Sequence, residues 1–171
     1  MARYLALLRG INVGGIRVPM PELKLAFERL GFENVRTYLQ TGNVVFDSGE
    51  PPGDVKPAVE RELSHTFHYE AYVLLYALEA LGPIARGYPF ARTEEFHAYV
   101  VFVGSPAVFE ELTALAASSG EPTAPGPGVL YWKVKRGESL DTPLAKLLAK
   151  KKYKNSTTIR NLNTLEKIQD S

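Results

Sequence analysis

Seven residues near the N-terminus, Arg9-Gly10-Ile11-Asn12-Val13-Gly14-Gly15, stand between an apolar, strand-like run, Tyr4-Leu5-Ala6-Leu7-Leu8, and an amphipathic segment that opens near Pro19 to Pro21. Three glycines and one asparagine in that place allow positive φ and leave main-chain amides uncovered by side chains. A ligand can therefore approach the backbone closely there, which makes the loop a candidate site. The segment after it carries Leu23, Ala26, Phe27 and Leu30 at i, i+3, i+4 and i+7. Pro21 suits its first turn and Gly31 the position just past its end, so the spacing predicts a helix.

Two short β-type runs follow, Val35 to Leu39 and Asn43 to Asp47, joined through Gln40-Thr41-Gly42. The glycine can supply the positive φ of a tight turn, and the pair reads as a hairpin. Asp54 is the expected N-cap of a second helix with Val59, Leu63 and Phe67 inward, and residues 71–76 return as a strand. Strand, helix, strand, strand, helix, strand is the split βαβ order of ferredoxin-like folds.

A weaker echo of that order begins after a linking helix over 78–86. His97 to Val103 reads as a strand, and Ser105-Pro106 caps a helix with Val108, Leu112, Leu115 and Ala116 inward. The stretch 118–128 is rich in Pro, Gly and Ser and has room for one edge strand. Leu130, Trp132 and Val134 alternate with Tyr131, Lys133 and Lys135, and Thr142-Pro143 starts a helix with Leu144, Leu147 and Leu148 inward. In the tail, Ile159, Leu162, Leu165 and Ile168 recur every third residue and predict a final helix, with Arg160 in its first turn. The helix dipole disfavours a cation there, a conflict that a bound anion would remove.

The expected fold class is therefore α+β, two ferredoxin-like subdomains in one chain plus a C-terminal helix. Subdomain one spans 1–76, a linking helix and turn 77–96, subdomain two 97–154, and residues 155–171 form the helix, packing back on subdomain one.

Composition narrows the function classes. With 171 residues, 45% of them hydrophobic, the chain suits one domain or two small fused subdomains. No apolar run approaches the roughly 20 residues of a membrane span, and no leader-like segment opens the chain, so a cytoplasmic protein is expected. The absence of cysteine excludes disulfides, thiolate catalysis and cysteine-held metal centres. Charge is uneven: Met1 to Trp132 holds 10 Lys+Arg against 15 Asp+Glu, net −5, and Lys133 to Ser171 holds 10 against 4, net +6. The basic tail can attract an anionic ligand or an acidic surface.

Arg9-Gly10-Ile11-Asn12-Val13-Gly14-Gly15, the following Pro19-Met20 with Leu23, the run Thr37 to Phe46, and the closing Thr158-Ile159-Arg160-Asn161-Leu162-Asn163-Thr164 resemble the uncharacterised bacterial family called domain of unknown function 1697. The resemblance implies an α+β protein of two ferredoxin-like subdomains and implies no reaction.

In a sheet of order 4-1-3-2, the end of strand one lies beside the start of strand three. The loop holding Arg9, Gly10, Asn12, Gly14 and Gly15 should then share a sheet edge with Gln40, Thr41 and Asn43. If the final helix docks there too, Arg160, Asn161 and Asn163 join them. Amides and arginines without carboxylates suit a phosphate, a carboxylate or a nucleobase edge, so the expected partner is a small anionic or nucleotide-like ligand. The alternative for the same residues is that they satisfy backbone groups and brace the loop.

Other chemistries find less support. Gly10 to Gly15 has the spacing of half a P-loop, but Ile16 and Arg17 stand where Lys and Ser/Thr are needed. Tyr4 and Phe46 could stack on bases, yet the RNA-recognition signature is missing and these aromatics read as core; the lysines at 146–154 leave weak nucleic-acid binding open. His65 and His68 are three apart without a third ligand, and neither a metal nor a cofactor is expected. A metal-independent enzyme using the same pocket, and a structural or interaction protein, remain the other readings.

Overall fold

The computed structural model describes residues 1–12 and 14–170; Val13 of the glycine loop and Ser171 lie outside the described residues. The chain divides into two compact units, Met1–Leu81 and Gly82–Ser171.

The first unit contains β1 (Ala2–Leu8), α1 (Met20–Arg29), β2 (Glu33–Tyr38), β3 (Asn43–Ser48), α2 (Pro52–Phe67) and β4 (Val73–Ala77). Its four strands lie in the order β2-β3-β1-β4, with β1 antiparallel to both β3 and β4. Period-two alternation in β1 turns Tyr4, Ala6 and Leu8 toward the helices, where Leu23, Ala26 and Phe27 of α1 and Val55, Val59 and Leu63 of α2 complete a core. Phe46 sits at its centre, stacked on Phe32 at 4.6 Å and edge-on to Phe27 at 5.2 Å. Tyr4 and Phe46 are therefore core residues, with Phe46 fully buried and no face open to a base. Pro51, not Asp54, occupies the N-cap of α2; Asp54 falls in the first turn, where its charge favours the helix dipole. His68 ends that helix in the left-handed conformation, so the helical spacing from His65 does not hold there.

The second unit opens with α3 (Leu81–Arg86), which follows a 3-10 turn at Leu78–Ala80, and continues through β5 (Phe96–Val103), α4 (Pro106–Ser118), β6 (Thr123–Pro125), β7 (Val129–Lys135), α5 (Pro143–Leu148), α6 (Lys151–Lys154), β8 (Thr157–Asn161) and α7 (Leu162–Gln169). The sheet order is β6-β7-β5-β8, the same permutation as in the first unit. Val101, Leu112, Ala116, Leu130, Trp132, Val134, Leu144 and Leu148 form the core between this sheet and its helices. Ser105 and Thr142 cap α4 and α5 as their positions foretold, accepting from the amides of Val108 and Ala145. Leu115, expected inward, is 40% exposed.

The tail departs from expectation. Residues 157–161 form an edge strand, with Val100 opposite Arg160, and helix begins only at Leu162. Thr157, Thr158 and Ile159 are β-branched and favour the pleated sheet. The threefold apolar spacing runs across the junction between strand and helix. Asn161 is the cap, its side chain accepting from the Asn163 amide at 2.9 Å. Arg160 thus lies in a strand, and the helix-dipole argument made for it does not apply.

Candidate functional site

The glycine loop and the hairpin turn meet at one edge of the first sheet. The Leu8 amide donates to the Gly42 carbonyl at 2.9 Å, which ties the end of β1 to the turn before β3. Gly42, at φ +90°, is packed tightly: a Cβ there would lie 2.7 Å from Leu8 Cβ and 2.8 Å from Ile11 Cδ1. Leu39, also left-handed at φ +59°, completes the reversal.

Asn12 organises the loop. It adopts φ +56°, and its side-chain nitrogen donates to the carbonyls of Gln40 at 2.7 Å and Val18 at 3.2 Å. Its side-chain oxygen accepts from the Val18 amide at 3.0 Å. One asparagine so clamps both ends of the 12–18 segment and fastens it to the turn. Asn43 does the same inside the turn, donating to the Tyr38 carbonyl at 2.7 Å and the Thr41 hydroxyl at 2.9 Å while fully buried. These bonds brace the loop and the turn.

An open groove of about 610 Å³ lies on this scaffold, lined by Asn12, Gly14, Gly15, Gln40, Arg17 and the apolar series Ile16, Val18, Pro19, Met20 and Pro21. Gly14 and Gly15 both have positive φ, and a Cβ at either would meet nothing within 4 Å. Their amides have no protein acceptor among the described residues. Arg17 is exposed and, among the described residues, pairs with no carboxylate and is the only charged residue in the lining. Among the described residues, the lining thus holds donor-bearing groups without an opposing acid.

Of the residues singled out by sequence, the groove gathers Asn12, Gly14, Gly15 and Gln40. Gly10, Thr41 and Asn43 belong to the same loop and turn outside the lining. Arg9 is half-buried; its Nε is enclosed without a hydrogen-bond partner, and burial alone lowers its pKa. In the second unit, Arg160 is buried within β8 and donates to the Thr158 hydroxyl at 2.6 Å and the Ile159 carbonyl at 2.9 Å. Asn161 and Asn163 line a separate, smaller cavity of that unit. Arg17 lines the groove but is not among the residues singled out by sequence, where it was weighed only at the Ser/Thr position of a P-loop. Its signal was available: a cation two residues after the glycine pair.

The family model of a protein of unknown function, DUF1697, matches residues 1–131, which include the glycine loop and the hairpin turn. Among solved structures, the conserved bacterial protein SP0830 from Streptococcus pneumoniae is similar over 99% of this chain and 97% of its own, at 28% identity and a TM-score of 0.81. No curated protein matches. No helix among the described residues is long and apolar enough to cross a membrane.

Proposed function

Because the chain belongs to the DUF1697 family of proteins of unknown function, its role has to be read from the site, and we propose that the first unit binds a small anionic, nucleotide-like ligand in the groove of the glycine loop. The observation that carries this reading is the pairing of uncovered Gly14 and Gly15 amides with Arg17 in a lining free of carboxylates. Main-chain amides and a guanidinium are the groups that hold phosphate or carboxylate oxygens. The wall of Ile16, Val18, Pro19, Met20 and Pro21 suits the uncharged part of such a molecule, and about 610 Å³ is within the range of small-molecule sites. Among the described residues the lining contains no His, Asp, Glu, Lys or Tyr, which favours binding over acid–base chemistry in this groove.

Thermal shift tests the proposal. Wild type and Arg17→Ala are heated with AMP, ribose 5-phosphate, pyrophosphate and, as the uncharged control, adenosine at fixed ionic strength. A ligand at 100 times its Kd stabilises by about 2.7 kcal/mol, several degrees for a chain of this size. Stabilisation by phosphorylated compounds that Arg17→Ala abolishes is the expected result. No shift with any of them, or shifts equal in wild type and variant, would overturn the reading.

A further inference from the structure

The second unit carries a cavity of about 230 Å³ where β5 begins and β8 ends. Strand pairing builds it from distant parts of the sequence. Phe96 lies opposite Lys135 and the Arg136 amide donates to the Glu95 carbonyl at 2.9 Å, so Arg136 stands beside the start of β5. On the other side, Tyr99 lies opposite Asn161, where β8 gives way to α7. Arg92, from the segment before β5, reaches the first turn of α7, donating to Asn163 Oδ1 and pairing with Glu166 at 2.8 Å.

The charged groups are not all paired. Glu166 neutralises Arg92, whereas Arg136 pairs with no carboxylate among the described residues; its Nε donates to the Glu94 carbonyl. Arg136 Nη1 lies 3.4 Å from His97 Nδ1. A guanidinium only donates, so this contact makes Nδ1 the acceptor and leaves the ring proton on Nε2. Burial, and secondarily Arg136, hold the His97 pKa below its usual value. The Tyr88 hydroxyl is enclosed without a hydrogen-bond partner, although its ring is fixed edge-on to Phe90 and Tyr131 at 5.6 and 5.9 Å. Exposed Glu94 is the only carboxylate residue among the described residues of the lining. The formal charges of Arg92, Arg136, Glu94 and Glu166 thus sum to zero, but the Arg136 guanidinium has no carboxylate contact among the described residues and the Tyr88 hydroxyl has no hydrogen-bond partner.

We propose that this cavity is a second anion site, taking the phosphate or carboxylate group of a small molecule, with Arg136 as its charge partner and Tyr88, His97 and the first turn of α7 as neutral donors. It is independent of the groove in the first unit: no lining residue is shared.

The test is an NMR titration of the full chain with inorganic phosphate and, separately, with acetate, each against chloride at constant ionic strength. The signals followed are Arg136 Nε, the His97 ring and the Asn163 amide. A saturable shift with either anion supports the site and tells the two chemistries apart. Arg136→Ala should weaken that binding roughly tenfold or more, the scale of one charge-assisted hydrogen bond. Tyr88→Phe, which keeps the ring contacts and removes only the hydroxyl, should weaken it several-fold, and Arg17→Ala should leave it unchanged. Shifts that stay linear and match chloride overturn the proposal. So does saturation that survives both Arg136→Ala and Tyr88→Phe.

Discussion

Gly42→Ala and Gly31→Ala form a matched pair, because the two glycines share a backbone conformation and differ in what surrounds them. Their φ values are +90° and +88°, so an alanine at either is strained by roughly 1–2 kcal/mol. At Gly31 a Cβ meets nothing within 4 Å. At Gly42 it would lie 2.7 Å from Leu8 Cβ and 2.8 Å from Ile11 Cδ1. Leu8 Cβ is held by strand β1 and cannot swing aside, and both residues are buried, at 1% and 4% exposure. Overpacking of this kind costs about 1–3 kcal/mol. The expected totals are then ~1–2 kcal/mol for Gly31→Ala and ~2–5 kcal/mol for Gly42→Ala.

The assay has to read the first unit. Trp132 lies in the second unit and its fluorescence reports there, so native-state hydrogen exchange at the amides of β1, in urea, is the better measure. Equal destabilisation by the two variants, within about 0.5 kcal/mol, would refute the claim that the turn is packed against the base of the glycine loop.

Three further outcomes are expected. Asn12→Ala removes the bonds to Gln40, Val18 O and Val18 N; it should destabilise the first unit by about 1–3 kcal/mol and speed exchange of the Val18 amide, and unchanged exchange would contradict its bracing role. The Asp47 carboxylate accepts from Asn34 at 2.7 Å and Arg3 at 2.9 Å, and these contacts, Asn34 foremost, hold its pKa below the usual value. Its contribution to stability is therefore present above the unfolded pKa and is lost as pH falls through the folded one. A carbon-13 titration should give a depressed midpoint that Asn34→Ala raises, and a midpoint at the unperturbed value would count against the contact. Arg160→Ala, at a residue only 5% exposed, should lower the stability of the second unit by about 1–3 kcal/mol in urea unfolding followed by Trp132, and an unchanged midpoint would contradict its place inside β8.

Local periodicity carried most of the fold. Leu23, Ala26 and Phe27 mark the buried face of α1 at helical spacing, and Leu130, Trp132 and Val134 alternate into the second core because β7 is covered there by helices. The tail was misread because Ile159, Leu162, Leu165 and Ile168 keep one spacing through two kinds of structure. The stop signal was Asn161, a side chain suited to a cap, and it stood inside the expected helix instead of before it. The missed strand is the fourth of the second sheet, so residues 157–161 belong to the second unit and not to a separate C-terminal helix.

The site was legible only where it is local. Gly14 and Gly15 were read directly from the local sequence, whereas Arg17, in the same four residues, was passed over at a P-loop position. The bracing role of Asn12 depends on where the Gln40 carbonyl comes to rest, 28 residues away, which no motif encodes. The second cavity is further from reach: Tyr88, Arg92, His97, Arg136 and Asn163 meet only through the pairing of β5 with β7 and β8.

The most direct test of the glycine-loop site is a 1H–15N titration of the wild-type chain with AMP, followed at the amides of Gly14 and Gly15 and at Arg17 Nε. The account predicts that these three signals move together and saturate at one Kd, while adenosine at equal concentration leaves the two glycine amides in place. Saturable binding of AMP that leaves all three unmoved, or no binding at all, would contradict it.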